Sequence, residues 1–318
     1  MKYFQYLLFT STVLISCAEN KNTIDTSTIK VDFKLIDFHN LFFDSKNEEF
    51  EKLKQEHPFL FPYQVADSVW NNKRTNKEEL LLYHMADSVF GDLAFEKKEL
   101  TNLFKYFKYY LPNFKVPKTY AMISNLDYDS KVVFADSLLF ISLDMYLGKN
   151  SEVYQSFPPY ISEKYTKKHL VVDVAETISE QNFKIQRGNT FIENIIFQGK
   201  KLYLTQSLLP HYPKQEILGY SNDKNNWALQ NEALVWSYFI ENQLLYSTNK
   251  NLTNRFINPA PFSKFYMEFD RDSPGQIGSY IGMNIVSSFI EHNDISLLKL
   301  LALDAETIFR KSKYKPNK

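Results

Sequence analysis

The chain contains a single cysteine, Cys17, so no disulfide can form between two parts of it. In an oxidising compartment the fold must therefore be held by a hydrophobic core. The composition supplies one, because 44% of the residues are hydrophobic and the chain has 27 phenylalanines and 21 tyrosines. A chain of about 300 residues can bury a large apolar fraction. We therefore expect a folded domain that is stabilised by packing.

The first 16 residues predict an exported protein. Lys2 is followed by an apolar stretch from Tyr6 and then by a small residue, Ser16, which is the pattern of a secretory signal peptide. The ending Leu14-Ile15-Ser16-Cys17 resembles the bacterial lipobox, in which the cysteine thiol is acylated. The alternative is an ordinary signal peptide with an incidental cysteine. A transmembrane anchor is not expected, since a spanning helix needs about 20 apolar residues.

The chain is predicted to consist of a leader, a tether and one domain. The predicted ranges are 1–16 for the signal peptide, 17–32 for a flexible tether after lipidated Cys17, and 33–318 for the domain, with a helical part at about 33–115 and a peptidase-like part at about 116–318. The tether prediction depends on the mostly small and polar residues 18–30.

The charge balance bears on possible partners. The 37 basic and 37 acidic side chains cancel, so no global field favours nucleic acid, and nucleic acid is not an expected partner. The sequence also lacks a Gly-x-Ser-x-Gly nucleophile elbow and a glycine-rich phosphate loop.

Hydrophobic periodicity predicts an α+β fold that is mostly helical, with a small sheet and an N-terminal helical layer. Helices are expected at 45–57, 62–72, 75–90, 95–111, 166–186, 190–205, 225–247, 276–291 and 303–312. Short β-branched and aromatic runs predict strands at 119–124, 131–134 and 137–142. Gly199 is a candidate break in the helix at 190–205.

Several short motifs, in this order along nearly the whole chain, resemble those of the gliding-motility lipoprotein GldB family of Bacteroidetes. They are Leu138–Gly148, Gln198-Gly199-Lys200-x-Leu202-Tyr203, Asn231-Glu232 with Trp236 and Tyr238, Leu245–Thr248, Ala260–Tyr266 and Ser273-Pro274-Gly275 with Gly278 and Gly282. The resemblance implies a cell-envelope lipoprotein that is required for gliding and associated with type IX secretion. Its implied partners are the membrane, through the lipid, and other gliding and type IX secretion envelope proteins. Because no aspartate directly follows Cys17 and the residues after it contain no acidic surface-export cluster, we expect a lipoprotein of the outer membrane that faces the periplasm.

The family also resembles predicted zinc-dependent peptidases in fold, which implies a zincin-like core. Such an enzyme needs His-Glu-x-x-His on one helix and a third ligand from a following element. The corresponding positions here are Ala175, Glu176, Ser179, Glu180, Phe183 and Gln198. None is a histidine, and the neutral amide of Gln198 is a poor zinc ligand. Glu176 or Glu180 occupies the position of the general base in this motif, but without zinc the carboxylate has no polarised water to deprotonate.

We therefore predict a non-catalytic scaffold, a pseudo-metallopeptidase with neither cofactor nor metal, that binds a partner in the envelope. An envelope metallohydrolase with a non-standard site and a periplasmic ligand-binding module stay open as alternatives. The six histidines give no support to a metal site, since no two of them are four residues apart. His169, near a predicted helix start, is expected to be a local cap or a solvent contact.

Two further features leave a choice open. Gly278 and Gly282 lie on one face of a predicted helix and permit close approach, which we expect from packing inside the domain rather than from a partner. The tail from Lys311 is basic and is expected to fray, although the family resemblance through Pro316 suggests docking as the alternative.

Overall fold

The computed structural model describes residues 24–317. The predicted signal peptide and Cys17 lie outside these residues. The described chain is mostly helical with one four-stranded mixed sheet, which confirms the predicted fold class at this level. The zincin-like core stays a prediction.

Four strands build the sheet: β1 (Leu35–Asp37), β2 (Lys118–Met122), β3 (Val132–Ala135) and β4 (Leu138–Ser142). Their order is β1-β2-β4-β3, with β1, β2 and β4 parallel and β3 antiparallel to β4. The three predicted strands are confirmed, but β1 was not predicted, because three residues are too few to show a period. Ile36 pairs with Tyr120, so the helical N-terminal part supplies one strand of the sheet.

Within residues 24–317, five α-helices precede β2 and ten follow β4. The first set is α1 (Phe38–Phe43), α2 (Asn47–Glu56), α3 (Asp67–Thr75), α4 (Lys77–Phe90) and α5 (Ala94–Tyr110). The second set is α6 (Pro159–Ser162), α7 (Lys167–Asn182), α8 (Phe191–Leu208), α9 (Lys214–Leu218), α10 (Asn222–Gln230), α11 (Glu232–Glu241), α12 (Asn251–Phe256), α13 (Ile277–His292), α14 (Leu297–Ala302) and α15 (Ala305–Ser312). No helix within residues 24–317 is both long and apolar enough to cross a bilayer.

The long helices start at side chains that satisfy the first free backbone N–H groups. Asn76 caps α4 by accepting from the N–H groups of Glu78 and Glu79. Thr190 and Glu193 form a reciprocal capping box at the start of α8. These local signals explain why the sequence located α4 and α8 within a few residues.

Two helix predictions are wrong in detail. The helix expected at 225–247 is two helices, because Asn231 leaves the helical conformation between α10 and α11, and α11 ends at Glu241. The backbone N–H and the side-chain amide of Asn231 both donate to the Trp227 carbonyl, at 3.0 and 2.9 Å, and so cap the end of α10. The break considered at Gly199 does not occur, since α8 runs unbroken to Leu208.

The core is centred on the crossing of α8 and α13, where glycines allow the two backbones to meet. A Cβ atom on Gly199 would lie 2.2 Å from the Gly282 carbonyl oxygen, and one on Gly282 would lie 2.0 Å from the Ile195 carbonyl oxygen. Gly278 has the same role against Phe256 of α12, at 2.9 Å. The expectation that Gly278 and Gly282 serve packing inside the domain is therefore confirmed.

The C-terminal tail docks, so the prediction of a frayed tail is wrong. Tyr314 donates its hydroxyl proton to Glu232 at 2.6 Å, and Asn317 donates to the other oxygen of the same carboxylate at 3.1 Å. Tyr280 of α13 completes the set at 2.9 Å. The Tyr314 ring packs edge-on against Trp236, with centroids 5.2 Å apart. A buried carboxylate is tolerated only when donors surround it, and the tail supplies two of these three.

Candidate functional site

The chain forms a cleft of about 450 Å³ beside α7, lined by α6 and the residues that follow it, 163–165, and by the segments at 219–221, 259–261 and 274–276. Aromatic and proline side chains make up much of its wall: Tyr128, Tyr160, Tyr165, Tyr220, Pro159, Pro259, Pro261 and Pro274. Two of the motifs that carried the family resemblance contribute to this wall, through Ala260–Pro261 and Pro274–Gly275. The cleft is therefore where distant parts of the sequence meet.

The two wall loops are held rigidly against each other. Ser263 donates its hydroxyl proton to the Pro274 carbonyl at 2.7 Å, and its N–H donates to the Ser273 hydroxyl at 3.0 Å. A Cβ atom on Gly275 would lie 2.0 Å from the Ala260 carbonyl oxygen, so only glycine permits this approach. Lys224 donates to three consecutive carbonyls, those of residues 271–273, at 2.8 to 3.1 Å.

Asp173 of α7 forms the polar floor of the cleft. One carboxylate oxygen accepts hydrogen bonds from Lys131 Nζ and from the Tyr146 hydroxyl, each at 2.7 Å. Burial by itself would raise the pKa of Asp173, but Lys131 and the Tyr146 hydroxyl hold that pKa below its ordinary value. Asp173 is therefore a charged structural acceptor that ties α7 to the start of β3.

His169 lies one helical turn before Asp173 and is buried. Its Nε2 is 3.7 Å from Asp173 Oδ1, and its Nδ1 is 3.8 Å from Glu216 Oε1, both too long for a good hydrogen bond. Its backbone N–H donates to Thr166 at 3.2 Å, so the predicted cap contact exists, although the ring is not a solvent contact. A ring sealed in this way cannot touch a molecule bound in the cleft.

Four of the degenerate peptidase positions come together elsewhere. Glu176, Ser179, Glu180 and Phe183 line a second pocket of about 230 Å³ between α7 and α8. Ala175 instead points into the core and is fully buried. Gln198 does not line this pocket, so the position proposed for the third ligand does not face the other positions.

The two glutamates of this second pocket differ in environment. Glu180 is exposed and pairs with Lys201 of α8 at 2.7 Å. Glu176 is more enclosed, and burial raises the pKa of its carboxyl above the ordinary value, although Lys164 and other neighbours partly oppose the shift. The Ser179 hydroxyl is buried and has no hydrogen-bond partner among the described residues.

This donor set does not fit zinc. Alanine, serine and phenylalanine offer no imidazole nitrogen at the places where a zinc peptidase has histidines, and the amide of Gln198 lies apart from the pocket. Over residues 24–317, no group of three His, Cys, Asp or Glu side chains is arranged to hold a metal ion.

Sequence reasoning missed the residues under the cleft. Tyr146 lies in a motif that was singled out, but Lys131 and Asp173 were not considered as a pair. The i, i+4 spacing of His169 and Asp173 on a predicted helix was the one available signal, since such residues share a helix face. Lys131 is 42 positions away from Asp173, so no local pattern in the sequence indicated that the two residues pair.

A family model described as gliding motility protein GldB matches residues 19–316. The match spans the cleft, the second pocket, the glycine crossing and the docked tail. No curated protein and no solved structure matches the chain.

Proposed function

The chain belongs to the family of the gliding motility protein GldB, and from this we propose that it is a lipid-anchored envelope protein that serves gliding as a non-catalytic scaffold. Its partner is another envelope protein of the gliding and type IX secretion apparatus, and it binds in the cleft. Cys17 carries the lipid, and the domain faces the periplasm from the outer membrane.

The observation that carries the proposal is that three of the four carboxylates that line the cleft and the second pocket are paired with lysines, Glu176 being the fourth. Asp173 is held by Lys131, Glu163 by Lys149 at 2.8 Å, and Glu180 by Lys201. A general base must reach a proton of the substrate with a free lone pair and a suitable pKa. The three paired carboxylates favour binding over proton transfer, and the Glu176→Gln, Glu180→Gln variant described below tests the fourth.

The cleft wall suits a protein partner. Tyrosine rings offer large contact areas at low cost in conformational entropy, and they are enriched in protein interfaces. Because hydrogen bonds already fix the loops at Ser263 and Ser273, little further ordering is needed when a partner binds.

We further propose that the core descends from a zincin-like fold. Support comes from β3, an antiparallel edge strand that lies beside α7, with Gln181 Nε2 of α7 donating to the Phe134 carbonyl at 2.6 Å. The next helix, α8, packs against α7 and carries Gln198. In this proposal the helices persist while the ligand positions hold Ala175, Ser179 and Phe183.

Gliding assays separate a scaffold from an enzyme. The double variant Glu176→Gln, Glu180→Gln is expected to keep gliding and adhesin secretion, because neither carboxylate does chemistry. Tyr128→Ala together with Tyr160→Ala is expected to abolish gliding at normal protein levels, since both side chains line the cleft. Tyr63→Ala is the control, because Tyr63 is 93% exposed and lies outside the cleft.

Two outcomes contradict the scaffold proposal. One is loss of gliding in the glutamate double variant when its folding and abundance are unchanged. The other is stoichiometric zinc in the purified protein, which would point to the envelope metallohydrolase.

A periplasmic ligand-binding module is the second candidate function. The cleft favours it, because a volume of about 450 Å³ with apolar walls and a few polar groups is typical of small-molecule sites. Crosslinking in intact cells distinguishes the two functions. A scaffold loses its crosslinked partner in the Tyr128→Ala, Tyr160→Ala variant, whereas a ligand-binding module keeps it.

A further inference from the structure

A third depression in the surface, which we call the tyrosine groove, differs from the cleft and from the second pocket in size and in chemistry. It has a volume of about 890 Å³ and lies between the C-terminal ends of α5, α8 and α13 and the start of α14. Its lining includes Tyr106, Tyr109, Tyr110, Tyr203, Ile295 and Leu298. The cleft contains lysines and carboxylates, but no Lys, Arg, Asp, Glu or His side chain lines the tyrosine groove.

The rim of the tyrosine groove exposes large side chains to the surroundings. Tyr109 is 47% exposed and Leu298 is 46% exposed. Tyrosine combines an apolar ring with a polar hydroxyl, and for this reason it is enriched at the headgroup level of membranes. An uncharged surface of tyrosine and aliphatic side chains therefore matches the boundary between lipid headgroups and acyl chains.

The N-terminal segment reaches the domain at this groove. Ile24, the first described residue, is part of the lining. The segment that follows is held along α5, since Lys108 Nζ donates to the Lys30 carbonyl at 3.1 Å and the Phe33 ring packs edge-on to Phe104 with centroids 5.0 Å apart. The described part of the chain thus begins at the tyrosine groove.

The distance to the lipid anchor is short. Ile24 is seven positions after Cys17. Seven residues span at most about 25 Å even when fully extended. If Cys17 is acylated, the groove therefore cannot lie farther than this from the bilayer surface.

We propose that the tyrosine groove is a membrane-docking face, which seats on the lipid surface that the acyl groups of Cys17 enter. The inference rests on the lipid attachment in the proposed function and adds the orientation of the domain. The groove turns toward lipid, and the cleft stays available to a partner.

The test uses the full acylated protein in phosphatidylethanolamine–phosphatidylglycerol vesicles, with a fluorescent label on one new cysteine. Acylation blocks Cys17, the only natural cysteine, so Leu298→Cys or Tyr109→Cys is labelled alone. Tyr63→Cys is the control, because Tyr63 is highly exposed and lines a different surface, around Trp70. Brominated acyl chains quench a label that reaches the lipid boundary, and iodide quenches one that stays in water.

We expect bromolipid quenching at positions 298 and 109 to be about threefold stronger than at 63, with the reverse order for iodide, because docked side chains sink into the interface. Equal quenching at all three positions overturns the proposal. Labels at 298 and 109 that are shielded from iodide without bromolipid quenching also overturn it, since another protein surface then covers the groove.

Flotation of the same vesicles distinguishes failure of the docking face from failure of the lipid anchor. Protein that floats without selective quenching refutes the docking face but leaves the anchor and the scaffold proposal standing. Protein that does not float, or an unsubstituted protein that takes the label at Cys17, refutes the anchor and the docking face together.

Discussion

Asp173 shows how a residue in a cleft can be charged and still be structural. Its carboxylate accepts from Lys131 and Tyr146, and it thereby joins α7 to the segments before β3 and after β4. The side chain is 14% exposed, so solvent weakens these hydrogen bonds only partly. The ionised form is the one that holds the cleft floor together.

Asp173→Asn is expected to lower the free energy of unfolding by about 2 kcal/mol at pH 7, because a charge-assisted acceptor is lost and Lys131 is left without its partner. The pKa of Asp173 is lowered in the folded state, so its contribution is present above the unfolded pKa of about 3.9 and is lost as the pH falls through the folded pKa. Urea unfolding should therefore show a gap between the two proteins at pH 7 that narrows below about pH 4.

Asp294→Asn is the matched control, since Asp294 is exposed. We expect it to change stability by less than about 0.5 kcal/mol at either pH. A gap for Asp173→Asn that stays constant down to pH 2 would contradict the ionised role of this carboxylate.

At the scale of elements, the fold depends on the crossing of α8 and α13. The two helices approach closely because Gly199 and Gly282 leave no side chain between them. Glycine inside a helix costs about 1 kcal/mol relative to alanine, so the crossing must return more than this through packing. Lys200, next to Gly199, is buried, and its amine donates to the carbonyls of Leu301 and Leu303. Gly199 and Lys200 of the Gln198-Gly199-Lys200 motif are therefore explained by packing and capping.

Gly282→Ala is expected to destabilise the protein by about 3 kcal/mol, because the new methyl group would meet the Ile195 carbonyl oxygen at 2.0 Å and force the helices apart. Thermal unfolding monitored by circular dichroism measures the effect. Ser287→Ala on the same helix is the control, and it should be neutral or slightly stabilising, since alanine has the higher helix propensity. An unchanged melting temperature for Gly282→Ala would show that the helices do not cross in this way.

At the scale of the whole molecule, the proposed anchor and the proposed docking face would hold the protein at one surface and leave the cleft available at another. In the proposed function, attachment to the membrane falls to Cys17. An acyl chain contributes about 0.8 kcal/mol for each buried CH₂ group.

Cys17→Ser is expected to move the protein from the membrane fraction to the soluble fraction and to abolish gliding, because the acyl groups are lost while the core is untouched. Fractionation and a gliding assay measure the two effects, and circular dichroism of the purified variant checks the fold. Full gliding by an unanchored protein would contradict the role of the anchor.

The sequence alone determined the features that repeat locally. Periodicity and caps located α4, α5 and α8 to within a few residues, and β-branched runs located β2, β3 and β4. The ordered motifs indicated the family that the match over residues 19–316 shows. Each of these signals is contained in neighbouring residues, so it can be recognised from the sequence without the tertiary structure.

Only the tertiary structure decided the features that need distant partners. The strand β1 exists because Ile36 pairs with Tyr120, and the tail docks because Glu232 accepts from Tyr314, 82 positions away. The cleft floor joins Lys131 to Asp173, and Ile24 and Leu298 line the same tyrosine groove. Such contacts follow from the way the helices pack, and no local period in the chain encodes them.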